Sequence, residues 1–144
     1  MKKFEINTNR LNIKLMDENG SQQLYEKNYW GLWKVIVKDH DDFIGYILVK
    51  PLNISSELPD VNNIEIGWRF KQESWGQGYA TEAAKAVTEK ITEQNDIKIL
   101  SATADSNNAA SIRIMEKLGM SFVESYNNKT QEAEIASVLY SKVL

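Results

Sequence analysis

The spacing of apolar residues changes at one point of the chain, and two glycines mark the change. Across residues 64–70 apolar side chains alternate with Glu, Gly and Arg, which is typical of a strand with one covered face. Across residues 79–93 they follow helical spacing, and Gly76 and Gly78 stand just before that helix. Glycines permit a tight turn, and the first N–H groups of a helix have no internal partner. This junction therefore predicts an anion site suited to a phosphate or pyrophosphate.

Two other phosphate-binding motifs are absent from the sequence. It contains no Gly-Lys-Ser or Gly-Lys-Thr, so the junction is not a nucleotide-hydrolysing phosphate loop. It also contains no Gly-x-Gly-x-x-Gly, which disfavours a dinucleotide site. Two glycines alone are equally compatible with a tight loop that binds nothing.

Periodicity also predicts the rest of the fold. Further strands are predicted at residues 10–15, 33–38, 43–49, 97–104, 122–126 and 134–140. A second helix is predicted over residues 109–118, with Asn107 or Asn108 as its cap and Gly119 just past its end. One short helix fits between Leu15 and Trp33. Hairpins combined with at least one crossover helix predict a mixed sheet with helices on its faces.

Composition excludes several classes of protein and site. The 144 residues suit one domain, 1–144, and the apolar fraction of 42% suffices for one core. A net charge of -3 disfavours nucleic-acid binding, and the absence of cysteine excludes disulfides, thiolate metal sites and thiol nucleophiles. We see no signal peptide and no membrane span. The expectation is a cytoplasmic protein that binds neither nucleic acid nor membrane.

The single histidine, His40, lies in the polar run Asp39-His40-Asp41-Asp42 between two predicted strands. This run predicts a solvated hairpin turn, with a divalent-ion site as the alternative. We expect no metal site elsewhere.

The segment Glu73-Ser-Trp-Gly-Gln-Gly-Tyr-Ala-Thr-Glu-Ala83 resembles the acyl-CoA pyrophosphate motif of the GNAT superfamily of N-acetyltransferases. Two further segments are similar to its ribosomal-protein alanine N-acetyltransferase (Rim-type) branch: Glu65-Ile-Gly-Trp68, and Asn108-Ala-Ala-Ser-Ile-Arg-Ile-Met-Glu-Lys-Leu-Gly119. The Arg10-Leu11 start is similar to that branch's first strand. The resemblance covers nearly the whole chain. It implies one α/β (α+β) domain with a mixed, mostly antiparallel sheet flanked by helices, and a shortened N-terminal helical region.

The resemblance also implies acetyl-CoA as co-substrate and suggests its contacts. Backbone N–H groups would hold the pyrophosphate across Gly76, Gln77, Gly78, Tyr79, Ala80 and Thr81. The strand from Trp68 to Phe70 would pair with the pantetheine amides. Asn108 and Ser111 would lie beside the pantetheine arm and the thiol, where the Ser111 hydroxyl can donate to the leaving sulfur. These two residues also suit a helix cap and a first-turn hydroxyl, and both roles can hold together. Glu73 stands where the family usually has Gln or Arg, which would place a carboxylate near the pyrophosphate.

The implied reaction is attack of a neutral amine on a thioester carbonyl, directly, because no cysteine can carry an acyl group. Glu65 is the candidate base, since it lies on the strand expected to flank the thioester and on the face opposite its apolar neighbours. The alternative is a surface carboxylate paired with a neighbour such as Arg69. Tyr126 and Tyr140 are available as a general acid, although core packing is the preferred interpretation of each.

The acceptor is the least constrained part of the function. An α-amino group has a reference pKa near 8 and a lysine about 10.4, so a modest base suffices for a protein N-terminus. The alternatives are a small-molecule amine (polyamine, metabolite or drug) and a non-catalytic acyl-CoA sensor. The shortened N-terminal region favours either an open cleft or a homodimer in which a second subunit covers it. The aromatic segment Tyr29-Trp30-Gly-Leu-Trp33 would offer the dimer contact, unless it packs in the core.

Overall fold

A computed structural model describes residues 4–16, 29–52, 60–94, 97–129 and 131–144. Eight strands form one sheet among these residues. They are β1 (Glu5–Asn7), β2 (Leu11–Leu15), β3 (Gly31–Val37), β4 (Asp42–Leu52), β5 (Asp60–Phe70), β6 (Ile99–Asp105), β7 (Ser121–Lys129) and β8 (Glu134–Val143). The described helices are α1 (Tyr79–Gln94) and α2 (Ala109–Lys117). The short helix predicted between Leu15 and Trp33 would occupy residues outside the described ranges.

The strands lie in the order β1-β2-β3-β4-β5-β6-β8-β7, and their pairing is antiparallel everywhere except between β5 and β6. The crossover through α1 makes β5 and β6 parallel, as a strand-helix-strand connection requires. The predicted mixed, mostly antiparallel sheet flanked by helices is therefore confirmed.

The parallel pairing of β5 with β6 is short. It joins Asn63 with Ile99, Ile64 with Leu100 and Glu65 with Ser101, and in the described residues it stops there. Both strands continue, β5 to Phe70 and β6 to Asp105. Residues 66–70 and 102–105 thus face each other without a ladder, and we call this opening in the sheet the notch.

The alternation of side chains buries one face of the sheet against α1. The sheet residues on that face that are at most 1% exposed include Leu11, Ile13, Trp33, Val35, Ile47, Val49, Ile64 and Ile66. The inner side of α1 supplies Ala83, Ala84, Val87 and Ile91, each 0% exposed. Full burial of an aliphatic side chain contributes about 1.5–3 kcal/mol. This layer therefore fixes α1, and the turn that precedes it, against the sheet.

The aromatic segment before β3 belongs to this core. Tyr29, Trp30 and Trp33 are 7%, 9% and 0% exposed, and the Trp33 indole N–H donates to the Tyr29 carbonyl at 3.1 Å. The Tyr29 ring also packs edge-on against Phe4, with centroids 5.6 Å apart. The core interpretation of these residues is confirmed. The hypothesis that they offer a surface to a second subunit is wrong, because packing inside the chain covers them.

The polar run around His40 forms the turn between β3 and β4. Residues 38–42 are exposed, and Asp41 adopts a left-handed φ of 49°, which Asp tolerates better than most residues. The predicted hairpin turn is confirmed. Across the described ranges, no three His, Asp or Glu side chains gather closely enough to hold a metal ion. None of the described helices has the length and apolarity needed to span a bilayer.

Candidate active site

The turn between β5 and α1 depends on two glycines with left-handed backbone. A short 3-10 turn, Gln72–Ser74, leads into Trp75, and Gly76 and Gly78 follow with φ of 82° and 79°. Residues with a side chain are strained in this conformation. A Cβ added to Gly76 would meet none of the described atoms within 4 Å. The turn therefore opens onto free space at the N-terminus of α1, where unpaired N–H groups can bind an anion.

A brace from the N-terminal strands holds this turn. The Arg10 guanidinium donates through Nη1 to the Gln77 carbonyl at 2.9 Å and through Nε to the Glu82 carboxylate at 2.7 Å. It also lies 4.4 Å from the centre of the Tyr79 ring. The Thr8 hydroxyl donates to the second Glu82 oxygen at 2.6 Å. One carboxylate thus ties the turn between β1 and β2 to the first turn of α1.

The charge of Glu82 reflects these contacts. Burial raises the pKa of Glu82, but hydrogen bonds from Thr8 and Arg10, together with the Arg10 charge, outweigh it. The net pKa lies below its ordinary value of 4.5. The carboxylate is therefore ionised at neutral pH and acts as an acceptor for the brace.

A cleft of about 790 Å³ lies beside the turn. Its walls come from the end of β5, from the glycine turn with the start of α1, and from one side of α2. The described lining residues include three cations, Arg69, Arg113 and Lys117, and no carboxylate. This charge pattern, together with the free N–H groups of the turn, fits a ligand with more than one phosphate.

The cleft contains almost every residue for which cofactor contact was predicted. Those that line it are Trp68, Phe70, Gly76, Gly78, Tyr79, Ala80, Thr81, Asn108 and Ser111. Gln77 does not line it, and its carbonyl instead accepts from Arg10. Glu73 is exposed and also outside the lining, so the carboxylate expected near the phosphates is directed elsewhere.

The start of α2 is joined to β5 across the cleft. The Asn108 side chain caps the helix by accepting from the Ser111 N–H at 3.0 Å, so the predicted cap is confirmed. The Trp68 indole N–H donates to the Ser111 hydroxyl oxygen at 3.2 Å. Because this contact uses the oxygen as acceptor, the hydroxyl proton remains available to a ligand.

Glu65 lies on the opposite face of the sheet. It is the last β5 residue paired with β6, so it stands where the notch begins. Its carboxylate accepts from the Thr103 hydroxyl at 3.1 Å and lies 3.8 Å from the Lys50 ammonium group. The pairing with Arg69 that was considered is not observed; Lys50, its register partner on β4, takes that place. Glu65 is not part of the cleft lining.

The two candidate tyrosines lie away from the cleft. Tyr140 is partly buried against the core and packs edge-on with Phe122, their centroids 5.8 Å apart. Tyr126 is half-buried on β7, and neither lines the cleft. The core interpretation is confirmed for Tyr140.

Sequence reasoning missed two parts of the site. The brace of Arg10 and Glu82 joins residues 72 positions apart, and both residues lie in segments that look like ordinary strand and helix. Arg113 and Lys117 are four residues apart, which predicts a shared helix face. Nothing in that spacing indicates that the face borders a cleft.

Comparison with known proteins places this geometry in a family. Residues 6–121 match the family model described as Acetyltransferase (GNAT) domain. The chain is 35% identical over 101 residues to the uncharacterized protein YkkB of Bacillus subtilis, covering 69% of the chain and 56% of YkkB. It is 34% identical over 86 residues to the uncharacterized N-acetyltransferase YnaD of the same species, covering 60% of the chain and 47% of YnaD. The chain thus spans about half the length of these relatives.

Solved structures share the fold. A ribosomal-protein-S5-alanine acetyltransferase from Vibrio fischeri superposes with a TM-score of 0.78 at 12% identity, covering 96% of both chains. The yncA structure from Salmonella typhimurium, solved with its cofactor acetyl-CoA, superposes with a TM-score of 0.71 at 13% identity, covering 85% of this chain and 69% of that one. Enzymes of this fold use acetyl-CoA as the acetyl donor. The match over residues 6–121 shows that the chain belongs to the GNAT acetyltransferase family.

Proposed function

We propose that residues 1–144 form one acetyltransferase domain that transfers the acetyl group of acetyl-CoA directly to a primary amine, with a protein N-terminus as the preferred acceptor. The observation that carries this proposal is the notch. The notch opens the sheet between β5 and β6. At this point the cationic cleft lies on one face of the sheet and Glu65 lies on the other. Donor and acceptor can therefore approach the same point from opposite sides.

The residues of the cleft fit acetyl-CoA. The N–H groups of the glycine turn and the start of α1 would bind the pyrophosphate, where the missing Cβ of Gly76 leaves room. The backbone of Trp68 to Phe70 has no ladder partner on its β6 side among the described residues. It is therefore available to pair with the pantetheine amides. When bound, acetyl-CoA supplies the thioester carbonyl that the amine attacks.

Two residues of the chain then act on the reacting groups, Glu65 on the amine and Ser111 on the sulfur. Glu65 takes a proton from the attacking amine, directly or through one water, as the new C–N bond forms. Ser111 donates a hydrogen bond from its hydroxyl to the sulfur as the C–S bond breaks, and Trp68 fixes the position of its oxygen. CoA leaves as the thiolate, which takes its proton from solvent, and Ser111 keeps its own. Thr103 is a positioning residue, because its hydrogen bond orients the Glu65 carboxylate.

There are two alternatives to this proposal: a different acceptor for the acetyl group, and a protein that binds acyl-CoA without catalysis. A polyamine, metabolite or drug amine would use the same cofactor site, and a non-catalytic acyl-CoA sensor would use the cleft alone. The fold shared with an S5-alanine acetyltransferase supports an N-terminal amine. An α-amine, with a reference pKa near 8 against about 10.4 for a lysine, is also the easier of the two to deprotonate.

The test is release of CoA thiol from acetyl-CoA with three classes of acceptor: peptides with a free N-terminus, N-blocked peptides containing lysine, and polyamines. We expect the highest kcat/KM for the free N-terminus. Glu65→Gln should lower kcat by about 10²–10⁴-fold while leaving the Kd for acetyl-CoA within about twofold. Glu89→Gln is the matched control, because that exposed carboxylate lies on α1 outside the cleft.

Variants of Thr103 test whether the orientation of the Glu65 carboxylate, rather than the stability of the fold, determines kcat. Thr103→Val should lower kcat without changing the Kd for acetyl-CoA, and Thr103→Ser, which keeps the hydroxyl, should restore it. Binding of acetyl-CoA without transfer to any amine would establish the sensor instead. Full activity of Glu65→Gln from pH 6 to 9 would remove Glu65 from the mechanism.

A further inference from the structure

Two cations on α2 have no protein partner among the residues that the structure describes. Arg113 and Lys117 are exposed, lie four residues apart on one side of the helix, and both line the cleft. In the described part of the chain, neither side chain makes a hydrogen bond or an ion pair. By contrast, Arg10 near the same turn is fully engaged by Glu82 and Gln77. Arg113 and Lys117 are therefore free to bind an anion in the cleft.

The pyrophosphate does not require these two cations. The glycine turn and the start of α1 already offer backbone donors for it, on a different wall of the cleft. Acetyl-CoA carries one further phosphate, a monoester on the 3′ oxygen of its ribose. A phosphate monoester bears a charge of about -1.5 to -2 at pH 7. An arginine fork and a lysine point charge are both well suited to it.

The positions of Ser111 and Lys117 on α2 fit the thioester end and the nucleotide end of acetyl-CoA, respectively. Lys117 lies six residues beyond Ser111, which corresponds to about 9 Å along the helix axis. Ser111, beside Trp68, stands at the end of the cleft expected to hold the thiol. Lys117 thus lies away from the thioester end, as the nucleotide end of the molecule requires, and Arg113 lies about one helical turn before Lys117.

We propose that Arg113 and Lys117 form a subsite for the 3′-phosphate of acetyl-CoA, so that the protein distinguishes acetyl-CoA from acetyl-3′-dephospho-CoA. This inference rests on the proposed placement of the pyrophosphate at the glycine turn. The two residues act through charge and donate hydrogen bonds to the phosphate. They are specificity determinants and take no part in the chemical step.

The experiment is a calorimetric comparison of Kd for acetyl-CoA and acetyl-3′-dephospho-CoA. An exposed ion contact is worth up to about fivefold in affinity, so two contacts should favour acetyl-CoA by about tenfold. In the double variant Arg113→Gln/Lys117→Gln the ratio should fall to about one, with the Kd for the dephospho form unchanged. Lys85→Gln, an exposed lysine on α1 outside the cleft, should keep the ratio of the unmodified protein. Raising the salt concentration should reduce the ratio in the unmodified protein and leave it unchanged in the double variant.

The outcomes separate this inference from the proposed function. If the unmodified protein binds both ligands equally, the 3′-phosphate subsite is refuted and acetyl-CoA binding stands. If the double variant loses affinity for both ligands equally, the cations serve the pyrophosphate and the inference is again refuted. If neither ligand binds the unmodified protein, the proposed cofactor site itself fails. A circular-dichroism melt of each variant verifies that these exposed substitutions leave the fold intact.

Discussion

Substitution of Gly78 tests the assignment of the glycine turn most directly. Its φ of 79° is left-handed, and an added Cβ would stand 3.5 Å from an Arg10 guanidinium nitrogen, which is ordinary contact. Space therefore permits a side chain, and the cost is backbone strain of about 1–2 kcal/mol. Unfolding entropy of about 2.1 cal/mol/K per residue gives about 0.3 kcal/mol/K for a chain of this size. The strain should lower the Tm of the ligand-free protein by about 3–7 °C.

Acetyl-CoA should raise that Tm by a comparable amount. At about a hundred times its Kd, a ligand adds about 2.7 kcal/mol of stability, which corresponds to about 9 °C here. Gly78→Glu places a carboxylate beside the expected pyrophosphate. If repulsion weakens the Kd a hundredfold, the same concentration adds only about 0.4 kcal/mol, or about 1 °C.

The assay is differential scanning fluorimetry with and without acetyl-CoA, and Gly78→Ala is the matched control. The alanine variant has the same strained backbone but no charge, so its ligand-free Tm should fall while most of the ligand-induced shift remains. A shift in Gly78→Glu within about 2 °C of that in the unmodified protein would refute the placement of the phosphates at this turn.

Two further predictions concern stability. Glu82→Gln should cost about 1–3 kcal/mol at pH 7 by weakening the brace to Arg10. Because the pKa of Glu82 is lowered in the folded state, its contribution is present above the ordinary value of 4.5 and is lost as pH falls through the folded pKa. Urea unfolding of both proteins should therefore converge on acidification, and a gap that persists at low pH would contradict this assignment. Gly45→Ala should destabilise by about 1–3 kcal/mol, because its Cβ would clash with the Arg69 carbonyl oxygen. Gly67→Ala, whose Cβ would have an ordinary contact at 3.8 Å, should be nearly neutral in the same urea titration, and equal costs would refute the packing argument.

The sequence predicted those features that arise from local patterns. The alternation in β2, β3 and β5 and the helical spacing of α1 are set by which side chains must be buried, so they can be recognised within a few residues. The three-residue strand β1 (Glu5–Asn7) was not predicted, because it is too short to show alternation. A cap at Asn107 or Asn108 follows from the residue type at a helix start, and in the structure Asn108 is the cap.

Long-range placement could not be predicted in the same way. Lys50 reaches Glu65 because β4 and β5 pair in a particular register, which the sequence does not specify. The early end of the β5–β6 ladder likewise depends on how two strands diverge in space. Residue types suggested which side chains belong to the candidate site, and only the assembled sheet shows which of its two faces each one occupies.

The ladder between β5 and β6 has three residue pairs in the described part of the chain, so few backbone hydrogen bonds join the two parts of the sheet. On one side α1 covers β1, β2, β4 and β5, and on the other α2 packs on β6, while the two helices also contact each other. Local opening follows the boundaries where few hydrogen bonds cross. Amide hydrogens of residues 102–105 that face the notch should therefore exchange faster in the ligand-free protein than those bonded to β8. A cofactor that pairs in the notch would supply the missing ladder, so the supply of acetyl-CoA in the cell would set how firmly the two parts of this sheet are joined.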